Sequence, residues 1–162
     1  MNYSIACRLL LLAWTVAVCF SCNDEQLQDY FMRFRQDGVE VVYDDPTTLS
    51  AAFTFSDQQY IGVFTGFNST STMVLKVYDD QAISEKVYRE FGPVGAAFAG
   101  SLITYQNGTN TYTQGALVPD VRIRVTEVSD EYVRGSFAGT LKSDGQPDIV
   151  ITYGEFFVRR VE

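Results

Sequence analysis

An all-β domain, drawn as an antiparallel β-sandwich, is the fold class predicted for most of this 162-residue chain, and three observations predict it. Apolar side chains recur at every second position, as in Val121, Ile123 and Val125 against Arg122, Arg124 and Thr126. That is the mark of a strand with one buried face. Dipeptides that tolerate positive φ and close hairpins separate such runs: Asp37-Gly38, Asn107-Gly108 and Asp144-Gly145. No segment holds a 3.6-residue period over the roughly 10–12 residues a confident helix needs. A small up-and-down, lipocalin-like barrel is the alternative, because barrel and sandwich both turn alternate residues inward.

The first element is not part of that domain. Arg8 leads into a 12-residue apolar run from Leu9 to Phe20, closed by Ser21-Cys22. A membrane-crossing helix needs about 20 apolar residues, so the run is too short to span. A basic residue, a short apolar core and a small residue at the break mark a secretory signal that is removed. Cys22, preceded by the small Ser21, is the expected acylation site, which makes residues 1–21 a lipoprotein signal peptide. Cys19 follows the bulkier Val18 and is the weaker acceptor. A buried methylene contributes about 0.8 kcal/mol, and two or more acyl chains hold a protein at a bilayer stably. The anchor therefore fixes the protein at a membrane surface, and the membrane expected is the outer membrane of a cell envelope, on either its periplasmic or its outer face.

Cys7 and Cys19 leave with the leader, so Cys22 has no partner for a disulfide within the mature chain. Stability must come from a core, and the 141 residues from Cys22 onward suffice for one domain. Residues 22–29 form the acylated cysteine and a short acidic tether, Asn23-Asp24-Glu25-Gln26-Leu27-Gln28-Asp29. Its seven residues reach about 24 Å at about 3.4 Å each. The domain, residues 30–162, is thus expected close to the membrane surface.

Within the domain, strands are predicted near 30–36, 39–43, 49–55, 60–67, 72–78, 97–105, 120–128, 132–141 and 148–161. Gly154 divides Ile149-Val-Ile-Thr-Tyr153 from Glu155-Phe-Phe-Val-Arg-Arg160. A turn there would leave strands too short to pair, so a β-bulge is predicted. Asp80 to Tyr88 is assigned one or two helical turns through Ile83 and Val87. Gly92 to Gly100 is read as a small-residue loop. Its Gly95-Ala-Ala-Phe-Ala-Gly100-Ser101 mimics phosphate-loop spacing but has no lysine to reach a phosphate.

Val133-Arg-Gly-Ser-Phe-Ala-Gly-Thr-Leu141, followed by Ile149 to Arg160 and taken with the leader, resembles the ending of small Bacteroidetes lipoproteins of uncharacterised families. The residues after Cys22 also resemble the acidic export signals of surface-displayed lipoproteins in that group. The resemblance implies an exported β-domain and brings no catalytic residues. Where those endings lead one to expect Asn before the glycine, this chain has Tyr153.

Chemistry is narrowed by absence. The sequence has no histidine and no cysteine after Cys22, which removes the usual base for a serine or cysteine nucleophile and the usual zinc ligands. In Gly135-Ser136-Phe137-Ala138-Gly139 the serine stands one place too early for a nucleophile elbow. Calcium needs only oxygen ligands, but Asp44-Asp45, Asp79-Asp80 and Asp144/Asp148 read as solvated turn residues. Neither a metal nor another cofactor is expected. Paired carboxylates leave a glycoside hydrolase as the one catalytic option.

Loss of Arg8 takes the net charge from −8 to −9, which disfavours nucleic acid as a partner, and no basic stripe with interleaved aromatics is visible. The expected function is that of a membrane-anchored, non-catalytic binding or interaction module whose partner is a glycan, a peptide or an envelope protein. A structural accessory of envelope assembly is the alternative.

Overall fold

Period-two alternation becomes twelve strands in the computed structural model, which describes residues 29–89, 91–94, 97–114 and 120–161. The leader 1–21, the acceptor Cys22 and the tether as far as residue 28 lie outside the described residues. The first half of the domain supplies β1 (Phe31–Gln36), β2 (Val39–Tyr43), β3 (Leu49–Ser56), β4 (Gln59–Phe67), β5 (Ser71–Asp79) and β6 (Val87–Tyr88). The second supplies β7 (Gly92–Val94), β8 (Ala97–Asn107), β9 (Asn110–Gln114), β10 (Arg122–Val128), β11 (Tyr132–Lys142) and β12 (Ile149–Arg159). One turn of 3-10 helix, Pro46–Thr48, joins β2 to β3.

The all-β antiparallel class read from the sequence is the class observed. Strands neighbour one another in the order β2-β1-β12-β11-β9-β8-β5-β4-β3, with β10 beside β11, β6 beside β10 and β7 beside β8. β3 then folds back onto the tail of β12. Ala51 bridges Arg160 in parallel, and the Val161 N–H donates to the Ala51 carbonyl at 2.8 Å. The sheet is thereby nearly closed into a barrel.

Closure needs local bending, and the predicted bulge supplies some of it. β1 sets Arg33 against Glu155 and Arg35 against Thr152, so two residues of β12 oppose Phe34 alone. On the other side of β12, Phe137 faces Gly154 while Gly139 faces Ile151. An extra residue bends its strand and increases the right-handed twist. Tyr153 carries the bulge in the left-handed region, at φ 51°. Gly154 is required by crowding: a Cβ there would meet the Phe137 carbonyl at 2.5 Å and its ring at 2.8 Å.

The interior is filled by side chains, as expected of a small barrel. Phe64 and Phe156 stack with centroids 4.9 Å apart and planes 19° apart. Phe34 packs edge-on to Tyr105 at 5.5 Å and tilted on Phe137 at 5.8 Å. Met32, Leu75, Ile103 and Ile151 complete one continuous core. The Phe156 ring lies over Gly135, where any side chain would collide with it and with the Arg124 carbonyl.

Three segments differ from expectation. Asp80 to Tyr88 holds no helix; the Lys86 carbonyl instead accepts from the Val125 N–H at 3.0 Å, and β6 pairs with β10. The stretch Gly92 to Gly100, read as a loop, contains β7 paired with the start of β8. β9, Asn-Thr-Tyr-Thr-Gln, was not predicted because only Tyr112 of its residues is apolar enough to register as alternation.

Candidate functional site

Inward-facing residues of β10 and its approach are Val121, Ile123 and Val125, all buried, so Arg122 and Arg124 must project from the outer face. Cross-strand register then decides what surrounds them. Arg124 stands opposite Ser136 of β11 on one side and Val87 of β6 on the other, and Arg122 stands opposite Ala138. Ser136 in turn faces Glu155 of β12, which faces Arg33 of β1. Ser136 and Ala138 thus give small residues beside Arg122 and Arg124, and Glu155 on the next strand is taken up by Arg33.

The result is a groove of about 640 Å³. Val87 and Arg89 form one wall with Arg122 and Arg124; Ser136, Ala138 and Thr152 form the floor; Tyr153 and Gly154 form the far wall. No carboxylate among the described residues lines it. Among the described residues no carboxylate lies within ion-pair distance of Arg89, Arg122 or Arg124, whereas Arg33 is paired with Glu155 at 2.6 Å and Arg160 with Asp130 at 3.4 Å. Arg35 lies over the Tyr153 ring, its Cζ 5.3 Å from the centroid.

Tyr153 is 78% exposed while its backbone is left-handed. That conformation costs an ordinary L-residue about 1–2 kcal/mol, and Asn adopts it routinely. The exposed cation–π contact with Arg35 returns only about 0.5–1 kcal/mol. Tyr153→Asn is therefore expected to raise stability by about 0.5–1 kcal/mol in a urea titration. A loss of that size would show that contacts of the ring outweigh the strain.

The Arg89 wall is held by a latch at the barrel mouth. The Asp79 side chain is buried and its Oδ2 meets the Lys86 ammonium. Burial alone would raise the Asp79 carboxyl, but Lys86, then hydrogen bonds from the Asp80 side chain and the Gln81 N–H, outweigh it and hold the group below its ordinary range. Asp79 in turn raises Lys86. Lys86 Nζ also lies 5.1 Å from the Tyr88 ring centroid, and the Tyr88 hydroxyl donates to the Ser84 carbonyl at 3.1 Å. Beyond the latch, the Arg89 carbonyl accepts from the Ser101 N–H at 3.2 Å. These contacts fasten the segment that carries Val87 and Arg89.

The other residues singled out in the sequence do not converge. Ser136 sits on the groove floor between Arg124 and Glu155. Asp45 accepts from the Thr47 N–H at 2.9 Å and caps the 3-10 turn. Its carboxyl is lowered first by the Thr47 hydroxyl, then by that N–H. Asp148 pairs with Lys142 at 3.2 Å. Among the described residues no three of Asp, Glu, Cys or His gather to hold a metal. Inside the barrel the Tyr43 hydroxyl and Ser71 Oγ are 2.9 Å apart. Burial pushes the Tyr43 phenol far above its ordinary value, so it stays protonated.

The groove was not visible in the sequence, where no basic stripe could be drawn. Outward placement of Arg122 and Arg124 follows from alternation, but their meeting with Arg89 and Tyr153 needs the ladders β6·β10, β10·β11 and β11·β12. The signal that did exist was Tyr153 before Gly154, a bulky residue at a bulge. No protein-family profile, curated protein or solved structure significantly matches this chain.

Proposed function

We propose that this chain is an envelope lipoprotein of the Bacteroidetes type, acylated at Cys22 and held at the outer membrane, whose β-domain is a non-catalytic binding module for a glycan, peptide or protein partner. The observation that carries the binding role is the groove: three guanidinium groups and an exposed tyrosine around a floor of small residues, with no carboxylate among the described residues that line it. Anchoring rests on the leader and on Ser21-Cys22. A groove on a sheet face, with both floor strands paired on each side, remains open to a ligand that the anchor brings into reach.

Metabolic labelling with palmitate tests the anchor. Wild type is expected to incorporate label and fractionate with membranes, and Cys22→Ser to lose the label and move to the soluble fraction. Identical fractionation of both, with no label in either, would refute it. The alternative, an accessory of envelope assembly, is favoured by the edge strand β2, on which Val39 is 69% exposed. Unpaired strand edges are ready templates for another chain. Crosslinking of β2 to a second envelope protein, with no ligand for the groove, would select that reading.

A further inference from the structure

We infer that the groove recognises a linear acidic glycan, with Arg89, Arg122 and Arg124 binding its carboxylate or sulfate groups and the Tyr153 ring packing on a sugar face. This names the ligand class for the binding role proposed above and rests on that reading.

Charge supplies the first argument. The chain has a net charge of −8 with 20 acidic side chains, so an arginine on its surface has many carboxylates to choose from. Arg33 and Arg160 find them. Arg122 and Arg124 instead share one face of β10 two residues apart, about 7 Å along a strand, with Arg89 on the same groove wall. Like charges at that spacing repel, modestly so at an exposed, salt-screened site. An anionic ligand offsets the repulsion, and the nearest acids on this face are already engaged, Glu155 with Arg33 and Asp120 with the Thr140 hydroxyl.

Residue type supplies the second argument, since all three positions are arginine. The planar guanidinium matches a carboxylate or sulfate with two parallel hydrogen bonds, which a lysine cannot do. Hydroxyls of Ser136 and Thr152 lie between this cationic wall and Tyr153. Across the face, Tyr153 on β12 and Arg122 on β10 are two strand spacings apart, roughly 10 Å. A polymer with charged substituents separated by hydroxyl-bearing rings presents complementary groups across that distance.

A peptide strand cannot be added to the groove floor, because β11 and β12 are paired on both sides, so one common mode of extended-peptide binding, joining a sheet edge, is closed there. An acidic peptide bound by the arginines alone is tested with poly-glutamate below. Tyr153 offers an exposed ring at the cost of backbone strain, and such strain clusters at ligand-contacting sites.

The test uses the full-length lipoprotein in detergent micelles, titrated with fluorescently labelled chondroitin sulfate, oligogalacturonate, dextran and poly-glutamate. Binding of chondroitin sulfate, oligogalacturonate or both is expected, weakening as salt rises from about 50 to about 200 mM; which one binds distinguishes sulfate from carboxylate. Each charge-assisted contact is worth about tenfold or more in affinity, so Arg122→Gln with Arg124→Gln should weaken binding by about 100-fold. Its thermal midpoint should be unchanged or higher, which separates lost contacts from misfolding. Tyr153→Asn should weaken binding several-fold although the protein becomes more stable, and Lys142→Gln, away from the groove, should leave it unchanged. Equal binding by wild type and the double variant would overturn the inference, as would equal affinity for poly-glutamate. If dextran binds and the double variant binds it equally, the anionic ligand falls while the binding role stands. If none of the four probes binds, the inference falls, and the binding role is then judged on whether a partner protein crosslinks to the groove.

Discussion

Phe156→Ala is expected to destabilise the domain by about 4 kcal/mol, in the range of the costliest core truncations. The side chain is fully buried, stacked on Phe64 at 4.9 Å and tilted on Phe137 at 6.4 Å. What makes the site unforgiving is Gly135 beneath the ring. A glycine has no side chain to move into the space, and the wall behind it is paired backbone of β10 and β11. The cavity therefore stays open, and the cost of a core truncation grows with the volume that cannot collapse. In a domain of this size about 4 kcal/mol lowers Tm by roughly 12–16 °C. Calorimetry or a urea titration reads it directly. A loss below about 1.5 kcal/mol would mean that the barrel closes around the gap and that the packing is softer than the ring geometry implies.

Asp79→Asn is expected to cost about 2 kcal/mol at neutral pH. Removing one partner of a fully buried ion pair costs about 3–5 kcal/mol, but the Lys86 side chain is about half exposed, so water takes over part of the role of the lost carboxylate. The pH dependence carries the stronger test. Asp79 is held below the ordinary carboxylate value of 3.8, so its contribution is complete above that value and disappears as pH falls through the depressed one. Lys86 is held above the ordinary lysine value of 10.5, so its contribution is complete below that value and disappears as pH rises through the raised one. The gap between wild type and Asp79→Asn should be constant from about pH 5 to about pH 9 and close on both sides. Because the latch fastens the segment leading to Arg89, hydrogen exchange at Val87 to Arg89 should also quicken in the variant. A gap that persists undiminished at acid pH would exclude the ion pair as its source.

Nine strands were legible from alternation, most within a residue or two of their ends: Val39–Tyr43 and Leu49–Ser56 against 39–43 and 49–55, and Ile149–Arg159 against 148–161. These segments have a buried face, and burial is what writes period two into a sequence. β6 and β7 are two and three residues long and β9 is mostly polar, so none leaves enough of a pattern to read. The helical turns expected from Ile83 and Val87 failed for a tertiary reason. Their spacing suits a helix, but Asp79, Lys86 and the Val125 N–H bind that segment in an extended path. The bulge at Gly154 was legible because two strands of ordinary length could not otherwise be accommodated. That it would turn an aromatic ring out into a groove was not.

The amino-acid order alone determined an antiparallel β-domain without histidine, its turns, its bulge and the outward direction of Arg122 and Arg124, because each of these depends on neighbours within a few residues. Tertiary structure alone decided that the sheet would curl until β3 met the tail of β12, and that Arg89, Arg122, Arg124 and Tyr153 would border one groove. Those outcomes depend on pairings between residues far apart in the chain, such as Arg124 with Val87 and Ala51 with Arg160. Register across a sheet is set by how all the strands bury their faces together, and no single segment carries that information.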